Sequence, residues 1–158
     1  MAMSKFPEFV RHVQKGEKIL PLYLFYGEER FLILEGIQRL RDKVLNASTA
    51  DFNLDIFFAE DAGVSRLLDT AMIYPVLAPM RLIIVHGAEA WKKQEMEKLL
   101  PYLRKPSPST CMILTLMKAD ARKNPLLAGV ALQGMAVSCA PLYENELGGW
   151  VRSQVKRS

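Results

Sequence analysis

At 158 residues the chain has the length of about one domain, and with half of them hydrophobic and 24% charged it can bury a core, which excludes disordered and fibrous classes. Lysine and arginine outnumber aspartate and glutamate 21 to 17, and this formal +4 is spread along the chain, so it permits nucleic-acid contact without arguing for it. No run approaches the roughly 18 to 20 apolar residues of a membrane span, and no signal peptide opens the chain. Cys111 and Cys139 each lie inside an apolar segment, as buried thiols in a reducing compartment do, and the expected location is cytoplasmic.

The first predicted element is a short helix over 5–15, "KFPEFVRHVQK", with Phe6, Phe9, Val10 and Val13 on one face. A strand, "PLYLFY" (21–26), follows and ends at Gly27. The next segment, "EERFLILEGIQRLRDKVLN", places Phe31, Leu32, Leu34, Ile37, Leu40, Val44 and Leu45 at helical spacing. Glu28 and Glu29 at its start and Arg41 and Lys43 toward its end all favour the helix dipole. "FNLDIFFAE" reads as a second strand and "VSRLLDTAMI" as a helix ending near Tyr74-Pro75. "RLIIVH" is the third strand, "KKQEMEKLLPYLRK" a helix, "STCMILTL" the fourth strand and "GMAVSCA" the fifth. "YENELGGWVRSQVKR" reads as a final helix, weakened at Gly148 and Gly149 by ~1 kcal/mol each relative to alanine.

Strands alternating with helices of this length require right-handed crossovers and a parallel sheet covered on both faces. The predicted architecture is a three-layer α/β/α sandwich around a five-stranded parallel sheet.

Nucleotide binding is the first activity to test on such a fold. A phosphate loop after the first strand needs several glycines and a Lys-Ser/Thr pair. Here that place reads "YGEERFLILE", with Gly27 alone, no lysine and no hydroxyl. Glu28 and Glu29 put like charge where a triphosphate would lie, at about 4 kcal/mol per contact for ~4 Å and an effective dielectric near 20. The third strand runs into His86-Gly87 rather than a carboxylate pair for magnesium, and Glu89 lies too far along. His12 and His86 have no partner at ligand spacing, and no HExxH, CxxC or GxSxG is present. No catalytic residue, cofactor or metal is expected. The alternative kept open is a nucleotide-binding α/β enzyme or switch with an atypical phosphate site at Gly27. The basic stretch "MKADARKN" (117–124) groups Lys118, Arg122 and Lys123, and either contacts DNA phosphates or is a solvated loop.

One segment does not fit a simple surface turn. In "MIYPVLAPMRLIIV" (72–85), two prolines mark a turn ahead of the third strand, yet Ile73, Tyr74, Val76, Leu77 and Met80 fill it with apolar side chains. Such side chains either fold back onto the helix layer or face another protein.

Taken in order, these segments resemble the N-terminal domain of the delta subunit of bacterial DNA polymerase III, the clamp-loader subunit that opens the sliding clamp. "LYLFYGEERFLILEGIQRLRDKVL" is similar to that family's opening strand, glycine turn and acidic-start helix. "DFNLDIFFAED" resembles its second strand, led in by Asp-Phe-Asn and closed by an acidic turn. "YPVLAPMRLIIVHGAEAW", "LLPYLRKPSPSTCMILTL", "ADARKN" and "PLYENELGGWV" complete the series.

The resemblance implies an AAA+-like fold with a degenerate phosphate loop and no ATP binding. It implies a hydrophobic wedge that enters an apolar pocket on the clamp. The wedge falls on Val76 and Leu77, flanked by Tyr74 and Pro75. Partners implied are the sliding clamp (beta) and the gamma/tau and delta prime loader subunits; primed DNA is a further candidate, for which the charge pattern alone offers Arg122 and Lys123. The subunit is itself non-catalytic within a polymerase holoenzyme, a nucleotidyltransferase. Residues 1–142 would be the AAA+-like domain and 143–158 a helix leading toward a lid domain, so that the chain is a fragment of a longer protein.

Overall fold

The computed structural model describes residues 2–117 and 123–140. Its elements run β1 (Ala2–Lys5), α1 (Phe6–Gln14), β2 (Leu22–Tyr26), α2 (Arg30–Val44), α3 (Ala50–Asn53), β3 (Leu54–Phe58), α4 (Val64–Ala71), β4 (Arg81–His86), a 3-10 turn (Ala88–Ala90), α5 (Lys93–Arg104), β5 (Thr110–Leu116), α6 (Pro125–Gln133) and β6 (Met135–Ser138). The strands form one sheet in the order β1-β6-β2-β5-β4-β3, and every neighbouring pair is parallel.

The middle strands are apolar on both faces, as a parallel sheet covered by helices requires. Leu22, Leu24 and Tyr26 of β2, Ile83 and Val85 of β4, and Met112, Leu114 and Leu116 of β5 point to one face. There they meet Val64 and Leu67 of α4, Leu99 and Leu103 of α5, and Leu126 and Val130 of α6. The alternate residues Tyr23, Phe25, Leu82, Ile84, Cys111 and Ile113 point the other way, onto Phe6 and Phe9 of α1 and Ile33, Ile37 and Leu40 of α2. Phe9 packs edge-on against both Tyr23 and Phe25, at centroid distances of 5.9 and 5.0 Å. Where α2 crosses β2, Gly36 leaves room for the Phe25 ring, because a Cβ there would lie 2.5 Å from a ring carbon.

The three-layer α/β/α sandwich stands, but its sheet has six strands rather than five. The sixth is β1, four residues whose pattern carries no period-two signal and which are held at the sheet edge by pairing with β6. Helix α6 is also absent from the sequence reading. It is apolar on almost all sides, so it shows no helical periodicity, although Asn124 caps it through Leu126 N–H at 2.9 Å and Pro125 occupies its first turn. "DFN" enters β3 as the short helix α3 rather than as strand. The expected final helix from Tyr143 lies outside the described residues.

His12 is buried and lies in a chain of hydrogen bonds. Leu20 N–H donates to the Tyr23 hydroxyl at 2.9 Å, and that hydroxyl is hydrogen-bonded to His12 Nε2 at 2.8 Å. On the other side of the ring, His12 Nδ1–H donates to the Glu17 carboxylate at 3.3 Å. Burial of Tyr23 pushes its phenol well above the usual range, so it stays protonated and able to donate. Tyr23→Phe leaves Leu20 N–H and His12 Nε2 without this partner. It should lower stability by about 1 to 3 kcal/mol, read as a lower urea midpoint at unchanged slope.

Candidate functional site

Helix α4 ends at Ala71, and Pro75 and Pro79 prevent its resumption before β4. Residues 72–80 therefore form a turn at the amino-terminal edge of β4. Several peptide groups of this turn are bonded from inside the fold. The fully buried Asn53, last residue of α3, accepts Val76 N–H on Oδ1 at 2.6 Å and donates from Nδ2 to the Val76 carbonyl at 2.8 Å. Its second amide proton goes to the Thr49 carbonyl at 3.1 Å. One side chain thus imitates a strand partner for a single residue of the turn. Arg81, buried at the start of β4, reaches the Ile73 carbonyl at 3.3 Å and Asp55 Oδ2 at 2.5 Å. Thr110 Oγ1 donates to the Ala71 carbonyl at 2.9 Å.

With the backbone held inward, the side chains face out. Tyr74 is 82% exposed, Leu77 89% and Val76 42%; Pro75 is half-buried, and Met72 and Ile73 are exposed. Leu77 also has φ 53°, the left-handed region in which a side chain is disfavoured. The four residues placed on the wedge in the sequence reading are therefore contiguous on one surface turn, and that turn is not packed onto the helix layer. Asn53 and Arg81, which position it, carry no signal of this role in the sequence, where they stand only within the strand segments "FNLDIFFAE" and "RLIIVH".

The turn after β2 is built differently from a phosphate cradle. Gly27 has φ 134°, and a Cβ there would lie 2.5 Å from the Cys139 carbonyl oxygen. Gly27 N–H donates to the Leu116 carbonyl at 3.0 Å and Glu29 N–H to the Cys139 carbonyl at 3.1 Å. These amides, which an anion would need, instead tie the turn to β5 and β6. Glu28 and Glu29 stand immediately before α2. Glu89 accepts Met117 N–H at 3.3 Å. Lys123 is exposed, and Lys118 and Arg122 lie outside the described residues. Cys111 and Cys139 are both buried and free, and burial holds their thiols well above the usual range. Among the described residues no group of three or more His, Cys, Asp or Glu is placed to hold a metal ion, and no helix is long and apolar enough to cross a membrane.

Comparison with known proteins converges on one family. The family described as DNA polymerase III, delta subunit, matches residues 23–139. The DNA polymerase III subunit delta of Bacillus subtilis is 32% identical over 124 residues, which is 72% of this chain and 35% of that protein. A solved Bacillus subtilis DNA clamp loader delta protein is similar at a TM-score of 0.80 and 25% identity, covering 96% of this chain and 47% of that one. A gamma subunit-related DNA polymerase III protein from Thermotoga maritima shares the fold at a TM-score of 0.57 and 18% identity, covering 90% and 48%. The chain thus spans between 35% and 48% of the length of these relatives.

Two substitutions separate the backbone of the turn from its side chains. Asn53→Ala leaves Val76 N–H and two carbonyls without their partner, and should cost about 1 to 3 kcal/mol together with faster amide exchange at Val76. Leu77→Gly removes the left-handed strain, about 1 to 2 kcal/mol, against a glycine entropy term of about 0.5 to 1 kcal/mol. It should therefore raise the denaturation midpoint slightly, because the exposed leucine contributes no core contact.

Proposed function

The chain belongs to the DNA polymerase III delta subunit family, and from that membership we propose that it is a non-catalytic clamp-contacting module of a clamp loader, docking through the apolar turn 72–80 onto the sliding clamp. Tyr74, Pro75, Val76 and Leu77 form the wedge. The observation that carries this reading is the exposure of Leu77 on a turn whose backbone Asn53 fixes from below.

An apolar side chain held in water is uncompensated until it enters an apolar pocket. Burying Val76 and Leu77 contributes about 1.5 to 3 kcal/mol each. Pro75, Pro79 and the Asn53 contacts restrict the turn beforehand, so little conformational freedom is lost on docking. The wedge opens the ring by differential binding: it attaches more tightly to a clamp whose neighbouring subunit interface is sprung, and so shifts the closed-to-open population. ATP hydrolysis belongs to partner subunits of the gamma/tau type, with delta prime completing the loader. In support of this division, the Gly27 turn commits its amides to β5 and β6.

Val76→Ser with Leu77→Ser should weaken binding to a purified bacterial clamp by about 100-fold or more, measured by surface plasmon resonance. Leu77→Gly, expected to stabilise the fold slightly, should weaken binding as well. Unchanged clamp affinity in both variants removes the turn from the interface.

A further inference from the structure

At the carboxyl edge of the sheet, opposite the turn, lies a cavity of about 540 Å³. It opens between the start of α2, the ends of β3 and β4, and the residue that follows β5. The volume is in the range of pockets that take a side chain with its flanking backbone. Its surface is chemically uneven. Phe58 and His86, the last residues of the paired strands β3 and β4, stack at 5.2 Å between centroids with 23° between planes. Around them stand three carboxylates, Glu60, Asp61 and Glu89, against one guanidinium, Arg30. Burial, and after it the charge of Arg30, hold the His86 imidazole below its usual range, so it adds no positive charge at neutral pH.

Among the described residues, none of these three carboxylates is within ion-pair distance of a cation. Counted over the described residues, the lining of the concavity therefore carries a net negative charge, on a chain whose formal charge is +4. Phosphates of a nucleotide or of DNA would be repelled here; a cation is drawn in. Outside the carboxylates, Leu34 and Ile56 are exposed apolar residues, since α2 does not cover the outer face of edge strand β3. A flat ring pair, several carboxylate acceptors and an apolar shoulder favour a planar guanidinium over an ammonium, because a guanidinium stacks on rings and bonds carboxylates in pairs.

We propose that this cavity is a second docking site, which receives an arginine side chain from an apolar segment of a partner protein. The guanidinium lies on the Phe58–His86 pair between Glu60, Asp61 and Glu89, and the neighbouring apolar residue of the partner covers Leu34 and Ile56. The site is independent of the apolar turn at the other edge of the sheet.

The test is amide NMR on the isotope-labelled chain, titrated with the capped peptide Gly-Leu-Arg-Leu-Gly and with its counterpart carrying neutral citrulline in place of arginine. The arginine peptide should give saturable shifts confined to the amides of 58–61 and 86–90, and the citrulline peptide should bind at least about tenfold more weakly. Glu60→Lys with Asp61→Lys, both at exposed positions, should weaken the arginine peptide by at least about tenfold while other amides keep their positions. The Val76→Ser, Leu77→Ser variant should bind the peptide as the parent does, which keeps this result separate from the clamp contact. Absence of shifts, an equal response to citrulline, or undiminished binding in the charge-reversed variant overturns the proposal. So do shifts at the same amides on adding ATP with magnesium or a short DNA duplex, or on concentrating the chain alone, since each assigns the cavity a different occupant.

Discussion

The apolar turn keeps one shape because the fold bonds it from beneath, and a single buried amide makes two of those bonds. Asn53 bonds both the N–H and the carbonyl of Val76 and closes its remaining proton on Thr49. A peptide group left to solvent would let the turn collapse or rearrange; one bonded to a buried, fully satisfied side chain has a single arrangement. Arg81 and Thr110 extend the same control, each reaching from the start of a strand to a carbonyl at or just beyond the end of α4. The turn is thus tied to the amino ends of β3, β4 and β5 together. Its position is inherited from the sheet register, with Leu54 beside Leu82 and Arg81 beside Thr110.

The same sheet produces a different surface at its other edge. Parallel strands present all their carboxyl ends together, the usual place for ligand-facing loops. In this chain the Gly27 turn is closed onto β5 and β6 by its own amides, and the nearby cavity is negative. Where a phosphate cradle would stand, the described residues present a surface of the opposite sign. The differential binding proposed for the turn would require rigid surfaces rather than a moving loop.

Much of the fold was legible in the sequence. "RLIIVH" is β4 residue for residue, and β2 and β5 fall within one residue of their predicted starts, because strands buried on both faces read as unbroken apolar runs. β1 was not legible, since four mixed residues become strand only through pairing with β6, more than a hundred positions away. α6 lacked periodicity for the opposite reason, being apolar nearly all round, although its Asn-Pro start was there to be read. The apolar turn stood out because apolar residues beside prolines contradict the expectation for a loop. Asn53 and Arg81 did not, because the role of a buried polar residue depends on what lies across the fold, in this case on Val76 for the one and on Ile73 and Asp55 for the other.

Leu77 brings the energetic argument to one residue. Its backbone is in a conformation that costs a side-chain-bearing residue about 1 to 2 kcal/mol and costs glycine almost nothing. A leucine in a strained position is ordinarily offset by the contacts its side chain makes, yet this one is 89% exposed. Neither local propensity nor core packing within the chain accounts for it, whereas every peptide contact of the turn, from Asn53 to Arg81, acts to keep it there. Strain without internal compensation is the pattern expected of a group whose favourable contacts form only with another molecule. The clamp contact proposed for the turn would supply the compensation that the chain itself does not provide.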